Sequence, residues 1–117
     1  MRRPHFSSTH PRQVCFLAQQ AAEKALKSVL VLLQIEFPFT HDLDRLRDLL
    51  PDGWRVKRDY PDLADLSIWA VEARYPADMP EVLAADAYRA VHAAEGILFS
   101  IEGDMAVQPG NSSDAES

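Results

Sequence analysis

Residues 14 to 35, VCFLAQQAAEKALKSVLVLLQI, constrain the fold more than any other stretch of this chain. Cys15, Ala18, Ala22, Ala25, Leu26, Val29 and Leu33 recur at intervals of three and four, which only a 3.6-residue period gathers on one face. The stretch reads as an amphipathic helix. Gln20, Glu23, Lys24 and Lys27 fall off that stripe, and Glu23 precedes Lys27 by four, the favoured order for an acid and a base on a helix surface. The alanine-rich first half lets a neighbouring backbone approach closely. In the second half Leu30, Val31 and Leu32 widen the apolar face, so the helix needs partners on more than one side.

The helix should end before Pro38, because Phe37 precedes a proline and avoids the helical region. Thr40 is the expected N-cap of a second helix, with His41, Asp42 and Asp44 in a first turn where negative charge suits the dipole. Leu43, Leu46, Leu49 and Leu50 share its face, and Pro51-Asp52-Gly53 stops it. Residues 54 to 58 read as a basic linker. Pro61 suits the first position of a third helix, which carries Leu63, Leu66, Ala70 and Ala73 on one stripe and closes near Arg74, ahead of Pro76. Pro80 introduces a fourth helix, from about Glu81 to Glu102, whose apolar face is Val82, Ala85, Tyr88, Ala93, Ile97 and Ile101, with Gly103 placed to end it.

No strand-period segment and no internal repeat occurs, which predicts an all-α, up-and-down bundle of about four helices. Residues 1–12 form an unpatterned arm, 13–103 the helical domain, and 104–117 an acidic tail too poor in large apolar groups to order itself.

A chain of 117 residues suffices for one domain without metal or disulfide staples. Its single cysteine, Cys15, sits on the apolar stripe and reads as a small buried hydrophobe. No metal-ligating cluster, HExxH, GxSxG or glycine-rich phosphate loop is present, and no cofactor is implied. The net charge of −6 argues against nucleic-acid binding by gross electrostatics. With no apolar run of membrane-spanning length and no leader-like segment, a cytoplasmic protein is expected.

The order AQQAAEKALK, then HDL at a helix start, then ARYP ahead of a long alanine-rich helix, resembles the HEPN family over roughly residues 14–102. The resemblance implies a helical bundle that dimerises, and often a minimal nucleotidyltransferase encoded nearby as the other half of a toxin–antitoxin pair. Some branches are metal-independent ribonucleases, and others bind nucleotides or partners. Two features depart from the pattern. A helix usually stands ahead of the Cys15-Phe16 segment, so the chain is expected to lack the family's first helix. The ribonuclease branch carries an arginine followed, after four to six residues, by histidine near the start of the last long helix. Here Arg74 is followed at those positions by Met79, Pro80 and Glu81, and Arg89 precedes His92 by too little. Arg3 and His10 have the right separation but lie in the arm.

These observations favour a dimeric nucleotide- or partner-binding module with no catalytic residue assigned; a ribonuclease toxin is the alternative. Lys24 and Lys27 are the candidate phosphate contacts, joined by the planar guanidinium of Arg74 and the ring of Tyr75 for stacking. Each has a plainer reading: a solvated helix face for the lysines, and a helix-ending turn for Arg74 and Tyr75. His41 and Asp42 read as helix capping, Tyr88 and His92 as a core or interface pair, and Trp54 and Trp69 as core and dimer contacts.

Overall fold

The computed structural model describes residues 11–70 and 82–106. Among them are five helices and no strand: α1 (Pro11–Leu32), α2 (Leu43–Asp48), α3 (Arg55–Asp59), α4 (Ala64–Ser67), and α5 (Ala84–Ala106). The two long helices form the frame, with α1 packed principally against α5. Charges of Asp86 and Arg89, near the start of α5, act on Cys15 near the start of α1, so the two helices begin at the same end. Between them the chain must travel back. It does so along α5: Arg55 meets Asp104, Tyr60 lies on Gly96, and Trp69 shares a groove with Ala90 and Ala93. The path is therefore up, down through the short helices, and up again, an all-α bundle as the periodicity requires.

Small residues line both long helices in their first halves, Cys15, Ala18 and Ala22 on α1 and Ala87, Ala90 and Ala94 on α5, all of them buried. Larger side chains take over further along. Leu26, Val29 and Leu30 join Leu43, Leu46, Leu50, Trp54, Val56, Ile97 and Ile101 in one core. Burying a leucine or isoleucine contributes about 1.5–3 kcal/mol, so most of the packing energy lies at this broader end.

Several boundaries differ from the sequence expectations, each for a local reason. Proline does not end α1; Gln34 does, by taking a left-handed conformation at φ 60°. Its N–H bonds the Val31 carbonyl at 3.0 Å and the N–H of Ile35 bonds the Leu30 carbonyl at 2.8 Å, the paired bonds of a Schellman ending. The N-cap of α2 is Asp42 rather than Thr40, its side chain accepting from the N–H groups of Asp44 and Arg45. The Trp54–Arg58 stretch is no linker: residues 55–59 are helical, and Trp54 and Val56 are buried. Pro61 lies ahead of α4 rather than in it, and the described part of the expected third helix is one short turn followed by a 3₁₀ segment at 68–70.

On α5 the buried stripe is Ala87, Ala90, Ala94, Ile97 and Ile101, with Asp104 at its end, while Ala85 and Tyr88 face outward. Gly103 does not terminate α5, which remains helical through Ala106. The reason is Asp104. Its buried carboxylate accepts the backbone N–H of Arg55 at 2.6 Å and the Arg55 Nε at 2.8 Å, tying the first turn of α3 to the far end of α5.

Candidate functional site

One edge of α1 presents Gln19, Glu23 and Lys27 at successive four-residue intervals, a spacing that stacks side chains along a helix. Glu23 was expected on an exposed face; it is buried, and so is Gln19. Three donors surround the carboxylate. Gln19 Nε2 donates to Oε1 at 2.9 Å, Lys27 Nζ to Oε2 at 2.8 Å, and His41 Nδ1 lies 3.0 and 3.1 Å from the two oxygens. Because a carboxylate only accepts, the imidazole nitrogen facing it carries the hydrogen. Gln19 also donates to the His41 carbonyl at 3.3 Å, so His41 is gripped by both backbone and ring. Burial pushes the Glu23 carboxyl up, but the hydrogen bonds from Lys27, Gln19 and His41, together with the Lys27 charge, outweigh it and hold the group below its ordinary range.

This clasp organises the loop after α1. Phe37 packs partly against the core, and the Lys27 ammonium stands 5.8 Å from its ring centroid and 5.9 Å from that of Phe39. Phe39 itself is 93% exposed and meets the His41 ring edge-on at 5.9 Å. On the outer face of α1, Lys24, Lys27, Ser28, Val31 and Leu32 line an open depression of about 550 Å³. Lys24 is exposed, and Lys27 shares this surface while holding Glu23. The two lysines named from the sequence are thus brought together. Arg74 and Tyr75 lie outside the described residues, as do Arg3 and His10.

A second, larger groove of about 650 Å³ runs between the α4 region and α5, with Tyr60, Trp69, Tyr88, Arg89 and His92 among its walls. Among the described residues its charged lining is mainly acidic, with Asp62, Asp65 and Asp86 beside Arg89. Asp86 bonds both the Leu83 N–H, closing the start of α5, and the Arg89 guanidinium. Tyr88 and His92 are not a core pair: Tyr88 is exposed, and the rings stack nearly parallel with centroids 6.3 Å apart. Trp54 is in the core.

Arg47, in the last turn of α2, is a structural group. Its buried guanidinium bonds Asp44, Asp48 and the Tyr60 carbonyl, while Asp44 also accepts the Leu63 N–H at 2.7 Å. Cys15 offers no nucleophile, since burial and the Asp86 charge push its thiol up to about 11. Among the described residues no cluster of histidine, cysteine and carboxylate side chains is placed to hold a metal ion.

The HEPN domain family matches residues 3–103. The chain belongs to the HEPN family. That match covers most of the chain, including all of α1 and α5 as far as Gly103. No curated protein and no solved structure matches this HEPN domain. Within the described part of the domain, no helix is long and apolar enough to cross a membrane.

Proposed function

We propose that this HEPN domain is a dimeric binding module that takes a nucleotide, or a nucleotidyltransferase partner, in a toxin–antitoxin type pair, and that it does not itself cleave RNA. The observation that carries the ligand half is the pairing of Lys24 and Lys27 on one open face of α1, where both line a shallow depression. Lys27 spends one of three ammonium hydrogens on Glu23 and keeps the others for phosphate oxygens. Among the described residues the larger groove suits phosphate less well, because Asp62, Asp65 and Asp86 line it beside Arg89.

Dimerisation rests on family membership and on apolar side chains left in water, Leu17, Val31 and Leu32 on α1 and Tyr88 and Phe99 on α5. The absence of ribonuclease activity rests on the missing arginine-to-histidine spacing at the start of the last long helix.

Equilibrium titration of the full chain with ATP and GTP tests the ligand half. Binding that weakens severalfold in Lys24→Ala and in Lys27→Ala, with thermal melts confirming that both variants fold, is the expected result. Binding unchanged by both substitutions removes the site.

A further inference from the structure

Phe39 is the most exposed large apolar side chain of the described residues, at 93%. An isolated exposed phenylalanine needs no explanation on a loose loop. This loop is not loose at that point. Phe37 on one side is packed against the core, and His41 on the other is held by Glu23 through its ring and by Gln19 through its carbonyl. Thr40, between them, accepts the Asp42 N–H at 3.1 Å, which leads directly into the capped start of α2. The ring is therefore held in water at a defined place, two residues from an anchor on either side.

Its surroundings define a ligand chemistry. The Lys27 ammonium sits over the ring at 5.9 Å, within the range of a cation–π contact, and the same lysine lines the depression with Lys24. A flat aromatic surface beside the Lys27 ammonium, with Lys24 one helical turn back along the same depression, matches a group that has both a π-face and anionic oxygens. Aromatic side chains beside cationic grooves hold nucleobases by stacking, whatever the base, while lysines hold the phosphates.

Resting on the nucleotide reading above, we infer that Phe39 is the base platform of that site: a nucleobase stacks on its ring while the phosphates reach Lys24 and Lys27. The site then prefers nucleoside phosphates over bare polyphosphate and discriminates weakly among bases, since stacking alone does not read a base edge.

Titration of the full chain with ATP, GTP, UTP and inorganic tripolyphosphate separates the base contribution from that of phosphate. The expected result is that wild type binds ATP about tenfold or more tightly than tripolyphosphate, a preference in the range that one stacked base supplies. Phe39→Ala should lower ATP affinity to the tripolyphosphate level and leave tripolyphosphate binding unchanged, whereas Phe39→Trp retains the preference. Because the ring is almost wholly solvated, truncation removes little packing, and a thermal melt checks this. ATP affinity untouched in Phe39→Ala while Lys24→Ala weakens it overturns the base platform and leaves the phosphate site standing. No binding of any nucleotide or of tripolyphosphate overturns both. A change in oligomeric state in Phe39→Ala without a change in ATP affinity identifies the ring as a contact between copies and likewise overturns the proposal.

Discussion

His41 Nδ1 lies 3.0 Å from one carboxylate oxygen of Glu23 and 3.1 Å from the other, so a loop residue seals a charge that belongs to the middle of α1. Glu23 is depressed below its ordinary range in the folded chain, and its contribution to stability follows from that sign. It is fully present above the unfolded value of about 4.3 and disappears as pH falls through the lower folded value. Urea unfolding of wild type and Glu23→Gln across this range is the check. At pH 7 the variant should be less stable by about 1–3 kcal/mol, as expected when a buried carboxylate loses hydrogen bonds to charged partners. The gap should narrow as the solution is acidified below about pH 4. Parallel stability curves would show that the carboxylate titrates normally.

Asp104 accepts two bonds from Arg55 while almost fully buried, and Arg55 is half exposed. The two partners should therefore respond unequally. Asp104→Ala leaves a buried N–H and a guanidinium without their acceptor and should cost about 2–3 kcal/mol. Arg55→Ala keeps the backbone N–H bond and removes only the solvated arm of the pair, so its loss should be under about 1 kcal/mol. Chemical denaturation of both variants gives the ranking, and equal losses would mean that the guanidinium rather than the N–H holds α5 to α3.

The frame was legible because its signals are long. A stripe of seven residues from Cys15 to Leu33 admits one period, and the burial of Cys15, Ala18, Ala22, Leu26 and Val29 follows from it. Short elements were harder to read, because single contacts decide them. Arg55–Asp59 becomes a helix through the carboxylate of Asp104, a residue that the sequence alone places in a polar tail. The same holds for the site. Lys24 and Lys27 were visible as a pair three residues apart, but Gln19 and Glu23 resemble surface residues until His41 arrives from the next loop to satisfy them. A signal was present in the regular spacing of Gln19, Glu23 and Lys27, and it is ambiguous without knowing that α2 packs beside α1. Phe39 was missed because exposure of a phenylalanine is not written in its neighbours.

Gly96 lies under the Tyr60 ring, and a β-carbon added there would overlap the phenol oxygen and come within 2.9 Å of the ring carbon that bears it. Tyr60 is anchored through its carbonyl to Arg47, so the ring has limited room to retreat. Gly96→Ala should therefore destabilise the chain by about 1–3 kcal/mol despite the better helix propensity of alanine. Combining it with Tyr60→Phe removes the closest atom and should recover part of the loss. In a double-mutant cycle the two substitutions should couple by at least about 0.5 kcal/mol. Additive losses would show that the ring moves aside without resistance.

Gln34 occupies the left-handed position that ends α1, where a side chain crowds its own backbone and glycine does not. The two bonds it supports, Gln34 N–H to Val31 and Ile35 N–H to Leu30, depend on that conformation. Its side chain is exposed, so replacing it sacrifices no packing. Gln34→Gly should raise stability by about 1 kcal/mol, the relief of backbone strain exceeding the added freedom of the unfolded chain. Gln34→Val should lower it, because a β-branched residue resists the left-handed region more strongly. Thermal and urea melts of the pair decide the matter. If glycine stabilises and valine destabilises, the ending at Gln34 sets where the loop bearing Phe37, Phe39 and His41 leaves α1. If both are neutral, that departure is set instead by the grip of Glu23 on His41.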